Sequence, residues 1–166
     1  MFRIETLCQA VQGLFMLKRT VPSPFGDLTL VEEDGAITSL DWTRVAQQDR
    51  SDLLDEAAAQ LAAYAAGERE KFDLPLQVSG TAFQQDVCRV MSEIPFGYTR
   101  TYGEIAKELG VPAQAVGQAC GGNPIPVIIP CHRVMGAKGL TGFSGRGGVE
   151  TKVALLRHEG AAGLLI

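Results

Sequence analysis

The chain has 166 residues, 46% of them hydrophobic and 20% charged, with a formal net charge of −4. That composition belongs to a globular protein of one or two small domains with a real core, and no run approaches the ~18 apolar residues of a membrane span. The acidic balance argues weakly against a nucleic-acid partner, but it is uneven: residues 1–80 carry 7 Lys/Arg against 13 Asp/Glu, residues 81–166 carry 8 against 6, and two regions with different jobs are expected.

Residues 1–17, MFRIETLCQAVQGLFML, hold an internal Glu5 and lack a signal-peptide core and cleavage site. Met16 offers an alternative start that would make the preceding stretch an extension. Residues 26–32 and 36–42 alternate in part around the turn EDG and predict a hairpin in a small antiparallel sheet. Residues 51–66, SDLLDEAAAQLAAYAA, open on Ser51, close at Gly67 and align Leu54, Ala57, Ala58, Leu61 and Ala65, which predicts a helix. FDLPLQVSG, residues 72–80, reads as an extended linker. The boundary is placed between an N-terminal α/β domain with antiparallel strands, residues 1–78, and a mainly helical C-terminal domain, residues 79–166.

In the second region TAFQQDVCRVMSEI starts with a capping box, Thr81 to Gln84, and lines up Phe83, Val87, Val90, Met91 and Ile94 before Pro95 stops it. TYGEIAKELG repeats the box with Thr101 and Glu104 and ends at Gly110, and Pro112 suits the first turn of the next helix, PAQAVGQACGG. Two short helices so close form a helix-turn-helix candidate, although such pairs also serve as plain core elements. Ala113, Ala115 and Ala119 keep the second helix narrow. NPIPVIIP follows as a short buried strand or extended segment, then Cys131 and His132, the glycine-rich GAKGLTGFSGRGG, and a final helix, VETKVALLRHEG, with Val149, Val153 and Leu156 inward.

The four cysteines, at 8, 88, 120 and 131, form no C-x-x-C pair, and with the only two histidines at 132 and 158 a zinc site built on Cys8 would have no histidine partner in its region, so no structural zinc is expected. Cys8, Cys88 and Cys120 read as small hydrophobes. Cys131 differs: it follows Pro130, adjoins His132 and Arg133, and faces the glycine loop. A thiol becomes a nucleophile when a base or a positive charge stabilises its thiolate, and those neighbours offer both. Glu159 is a candidate to orient the imidazole; its alternative is a surface carboxylate at a helix C-terminus, where the macrodipole does not favour it. From these residues alone, a cysteine hydrolase or redox protein and a DNA-binding protein both stay open.

NPIPVIIPCHRV, with RTYGEIAKELG upstream and GLTGFSG and LLRHEG downstream, resembles the O6-alkylguanine-DNA alkyltransferases, also called methylated-DNA–protein-cysteine methyltransferases. The likeness is strong from about residue 79 to 160 and looser over residues 22–75, where it implies the family's variable ribonuclease-like domain. It implies an α+β fold and a direct-reversal repair protein that flips O6-alkylguanine, and O4-alkylthymine, out of the duplex. The alkyl group would pass irreversibly to Cys131, once per molecule. By position, His132 would take the thiol proton through a water, Glu159 would hold and polarise His132, and Asn123 would tie the helix-turn-helix to the active-site segment. Tyr102 would donate to the departing guanine. Val134, Phe143 and Ser144 would line the base pocket, with Cys120 and Pro126 in its wall. DNA would meet Tyr102, Ala113, Gln114, Ala115, Gly117 and Arg133. The resemblance further implies double-stranded alkylated DNA as partner, no cofactor, no metal, no obligatory protein partner, a monomer and a cytoplasmic location. The sequence departs from the family at Gln114, where an arginine is common, at Gly121, a second basic position, at Cys88, where an aromatic is frequent, and in a turn two residues shorter between the paired helices. A lesion sensor that binds without repairing would lack the cysteine; Cys131 places this chain with the enzymes.

Overall fold

Asp34 and Gly35 both adopt positive φ, 49° and 78°, as a two-residue type I′ hairpin requires. They join strands Leu28–Glu33 and Ala36–Asp41, labelled β2 and β3. A further strand, Leu17–Val21 (β1), lies antiparallel on the other side of β2 and gives the order β1-β2-β3. The sequence reading did not anticipate β1. LKRTV is an edge strand with one buried residue, so it carries little of the apolar alternation that marks a strand. The structure, a computed structural model, describes residues 16–138 and 148–161.

Helix α1, Asp52–Ala65, starts where Ser51 accepts the Leu54 N–H and packs on β2. Its buried residues are Leu54, Ala57, Gln60, Leu61 and Tyr64. The face is turned from the expected alanine-rich one toward Tyr64, whose ring buries far more area than Ala58 or Ala65. The segment after α1 is no free linker. Ile37 donates to Pro75 O and Gln77 donates to Ile37 O, at 2.9 and 3.0 Å, so Leu76 bridges in parallel to the sheet.

In the C-terminal half, α2 spans Ala82–Ser92, α3 Tyr102–Leu109, α4 Ala113–Gly121 and α5 Val149–His158. Thr81 caps α2, but Gln84 does not return to the cap; its Nε2 donates to Ala119 O at 2.8 Å and couples α2 to α4. The Thr101–Glu104 box is complete. Gly110 turns left-handed at φ 67°, and Val111 N–H folds back on Ala106 O, a helix stop of the Schellman kind. Three residues then separate α3 from α4. A short parallel pair, Arg100–Thr101 (β4) with Val134–Met135 (β5), sets the start of α3 beside the segment after Cys131.

Helix α5 corrects one expectation. Lys152, Leu155 and Leu156 are its buried residues, while Val149 is 41% exposed. Lys152 turns inward because Val134 O accepts its ammonium at 2.5 Å. The two halves share one apolar cluster that includes Leu30, Ile37, Tyr64, Met91, Ile105 and Ile129, and Leu40 N–H donates to Pro124 O across them at 3.0 Å. The fold is α+β, as expected. Among the described residues no helix is long and apolar enough to cross a membrane.

Thr101→Ala removes one half of the capping box and frees the Glu104 N–H it satisfied. Urea unfolding should show a loss of about 1 kcal/mol, and a slackened start of α3 at Tyr102.

Candidate active site

The run NPIPVIIP does not form a strand. Asn123 pinches it into a loop: its Nδ2 donates to Ile129 O at 2.8 Å, and its Oδ1 accepts Ile125 N–H at 3.0 Å. Ile129 N–H closes the same loop on Ile125 O at 2.9 Å. Val127 sits inside it at φ 72°, a conformation that strains a β-branched residue. Pro130 then has φ −81° and ψ 68°, and Cys131 N–H reaches back to Ile129 O at 2.8 Å; this is an inverse γ-turn. One 3₁₀ turn, Cys131–Arg133, follows. Proline therefore does more than end the apolar run. It aims Cys131 back at the loop that Asn123 holds.

Cys131 is 4% exposed. Burial pushes its thiol up to about 11, against the smaller opposing effects of the Asn123 amide hydrogen bond and the Lys152 charge. The resting group is a thiol. Lys152 is fully buried, with Nζ 5.9 Å from the centre of the Tyr102 ring. Burial lowers its pKa, and the nearby Cys131 thiol works the other way. This lysine was not singled out from sequence. Its signal was available only as a charge interrupting the apolar face of the last helix.

His132 is also completely buried. Its Nε2 lies 2.7 Å from Glu159 Oε1. Burial lowers the imidazole pKa more than the Glu159 hydrogen bond raises it, so the ring is neutral. Burial would raise the Glu159 carboxyl, but hydrogen bonds from His132 and Arg133 outweigh it and hold the group down to about 2. The carboxylate is thus ionised and accepts, so Nε2 carries the ring proton and Nδ1 is the bare acceptor. Among the described residues, Nδ1 meets no hydrogen-bond partner.

Arg133 was expected to help the thiol and to meet DNA. The structure buries it instead. Its Nε and one terminal nitrogen bind both Glu159 oxygens, at 2.9 and 2.8 Å, and the other terminal nitrogen donates to Ile94 O at 2.6 Å. The guanidinium is the counter-ion of Glu159, because a buried carboxylate without one would be costly. A second contribution was also missed: the Tyr64 hydroxyl, on α1, donates to Glu159 Oε1 at 2.8 Å.

Tyr102 is half-buried at the first position of α3. With Gly103, Ala113, Gln114, Gly117, Gln118 and Ala137 it lines an open concavity of ≈ 570 Å³ on the outer face of the helix pair. Ala113 and Gln114 are exposed, Ala115 and Gly117 half-buried. A Cβ on Gly117 would meet nothing within 4 Å. Cys120 is buried at the end of α4, its thiol pushed up to about 12 by burial, and Pro126 is buried in the Asn123 loop. The Val134 carbonyl holds Lys152. Phe143 and Ser144 lie outside the described residues.

Two family models match the chain: the ribonuclease-like domain of 6-O-methylguanine DNA methyltransferase over residues 16–78, and its DNA binding domain over residues 82–161. A methylated-DNA–protein-cysteine methyltransferase of Mycolicibacterium paratuberculosis is 44% identical over 151 residues, 85% of this chain and 90% of the relative. A constitutive enzyme of that name from Bacillus subtilis is 41% identical, covering 84% of this chain and 93% of its own length. The crystal structure of the Mycobacterium tuberculosis O6-methylguanine methyltransferase superposes with a TM-score of 0.79 at 44% identity, over 88% of this chain and 93% of that one. A structure of the Mycobacterium tuberculosis protein in complex with DNA gives 0.77 at 45% identity, over 89% and 96%.

The buried groups fix the acid response. Glu159, held below its ordinary 4.5 at about 2, stabilises the fold above that ordinary value, and the stabilisation is lost as pH falls through about 2. His132, lowered from its ordinary 6.5, favours the native state above that value and opposes it as pH falls, because only the unfolded chain takes the proton freely. Stability should therefore decline from neutral pH downward. Glu159→Gln strands Arg133 and should cost roughly 3–5 kcal/mol near pH 7. The gap from the parent should narrow in denaturant titrations as pH falls below 4.5.

Proposed function

The chain belongs to the 6-O-methylguanine DNA methyltransferase family of DNA alkyl-transfer repair enzymes, and on that premise we propose that it flips an O6-alkylguanine, or an O4-alkylthymine, out of the duplex and moves the alkyl group onto Cys131. The buried thiol cannot reach a stacked base, so the base must come to it. At neutral pH a thiol held up at about 11 is ionised in roughly one molecule in 10⁴. A base is needed, and His132 Nδ1 has the free lone pair. His132 takes the proton, through a water, and the Glu159 carboxylate stabilises the imidazolium that forms. The thiolate attacks the alkyl carbon. A sulfur–carbon bond forms as the carbon–oxygen bond breaks, and the guanine leaves with the electron pair. Tyr102 would supply a proton or hydrogen bond to that ring as charge develops, and the proton lost by the thiol restores the balance. The thioether does not revert, so each molecule acts once. The neutral His132, with Nε2 committed to Glu159 and Nδ1 bare, supports this reading more than any other feature.

Helix α4 would meet the DNA with Ala113, Gln114, Ala115 and Gly117, and Tyr102 would stand at the rim of the same concavity. The division of labour between residues 1–78 and 79–166, and action as a monomer, belong to the same proposal. It calls for no metal or cofactor. Arg133 is left out of the DNA surface by its burial.

Incubation with DNA containing O6-methylguanine, followed by peptide mass analysis, should place one methyl on the Cys131 peptide and leave DNA with guanine. Cys131→Ser should transfer nothing and still bind duplex. A label on Cys88 or Cys120, or continued turnover, overturns the assignment.

Gln114 offers hydrogen bonds to an orphaned base but no charge. Gln114→Arg should tighten duplex binding and steepen its log–log salt dependence by about one unit. Transfer from free O6-alkylguanine base, which needs no flipping, should stay unchanged. Identical salt slopes would remove α4 residue 114 from the DNA contact.

A further inference from the structure

The Glu159 carboxylate is reached by three residues from two places in the chain. Oε1 takes the His132 ring N–H at 2.7 Å, the Tyr64 hydroxyl at 2.8 Å and an Arg133 N–H at 2.8 Å; Oε2 takes Arg133 Nε at 2.9 Å. A carboxylate oxygen has two lone pairs, so three donors on Oε1 share its charge. Tyr64 and His132 draw on the same atom. Tyr64 belongs to α1, 95 residues away in sequence from Glu159, and among the described residues of the N-terminal half it is the one that hydrogen-bonds to the carboxylate.

The phenol is held where it is. Its ring packs against Phe25, Phe72, Phe96 and the His158 imidazole, at centroid distances of 6.1, 5.4, 6.1 and 5.0 Å. His158 also bonds to the Tyr64 backbone carbonyl at 2.7 Å, leaving the hydroxyl to Glu159. Burial raises the Tyr64 pKa, with the adjacent Glu159 charge adding to it, so the hydroxyl stays a donor across the working pH range. An aromatic packing role alone would be met by phenylalanine. The hydroxyl is 2.8 Å from a catalytic carboxylate, where each added donor weakens the pull on the others.

We propose that Tyr64 is a positioning residue of the alkyl-transfer centre, through which the N-terminal half sets the basicity of His132. This rests on Cys131 as the alkyl acceptor and His132 as its base. Donation from Tyr64 orients the Glu159 carboxylate and spreads its charge away from His132. Without the hydroxyl, Oε1 keeps more charge for the imidazole, the imidazolium is favoured, and His132 is lost as a base at a higher pH. The other charged groups that act on His132 are Arg133, from its own turn, and Lys152, from α5; His158, also from α5, packs on the Phe25, Tyr64 and Phe96 rings and bonds to the Tyr64 carbonyl. None of these changes in a Tyr64→Phe protein.

The test is single-turnover transfer from free O6-alkylguanine base as a function of pH, with the alkylated peptide identified by mass. Tyr64→Phe should move the acid midpoint of the rate upward by about half to one pH unit and lower the plateau rate several-fold. Site-specific 3,5-difluorotyrosine at position 64, a stronger donor of nearly the same shape, should move the midpoint downward, and it keeps the test open if the Phe protein does not fold. Phe72→Leu, which disturbs the packing but not the hydroxyl, should leave the midpoint in place. If the Phe and difluorotyrosine proteins label Cys131 with the parent's midpoint, Tyr64 is a packing residue and the proposal fails by itself. If the parent protein never labels Cys131, the function it rests on fails first.

Discussion

A carboxylate sealed from water must be answered on every side, and Glu159 is the carboxylate that this structure is built to answer. Four hydrogen bonds reach it, from α1, from the turn after Pro130 and from that turn's arginine side chain. Each donor has to arrive at one point, which fixes where α5 ends, how far α1 leans in and how tightly Cys131–Arg133 winds. Gly160 takes φ 62° directly after Glu159 and stops the helix there. On another side, a Cβ at Gly97 would come within 3.4 Å of the Glu159 backbone oxygen. Through the Tyr64 hydroxyl the two halves of the chain meet at this point, in addition to their apolar contacts.

The thiol is treated in the opposite way. It is buried without a strong counter-charge, so the resting protein holds it as a weak acid. Such a group is a poor target for stray electrophiles, which prefer exposed thiolates. Its reactivity is conditional on the neighbouring imidazole, whose own neutrality comes from the same burial. Lys152 adds a positive charge near Cys131, holds Val134 O and lies near the Tyr102 ring. Reactivity and restraint both follow from excluding water.

Much of this was legible beforehand where the sequence speaks locally. The Thr101–Glu104 box, the glycine stop at 110 and the hairpin turn are short-range signals, and the structure has each of them. The nucleophile stood out because proline, cysteine and histidine are adjacent. What sequence spacing did not carry was long-range: Tyr64 and Lys152 were not singled out, and Arg133 was read as a charge beside the thiol and a DNA contact. Their roles come from partners 95, 18 and 26 residues away. The Gln84 side chain shows the same limit, since half of a capping box was spent on a tertiary bond to Ala119. Strand β1 was missed because an edge strand needs only one buried side to exist.

Gly117 sits mid-helix in α4 with no neighbour within 4 Å of where its side chain would begin. Glycine there weakens a helix by about 1 kcal/mol relative to alanine, and among the described residues a methyl group at that point would meet no obstacle. A redesign guided by thermal resistance alone would fill this position early and gain helix stability. If α4 is the face that meets DNA, as proposed, the same methyl group would hold the partner's backbone further off, so stability and recognition would pull on this one position in opposite directions.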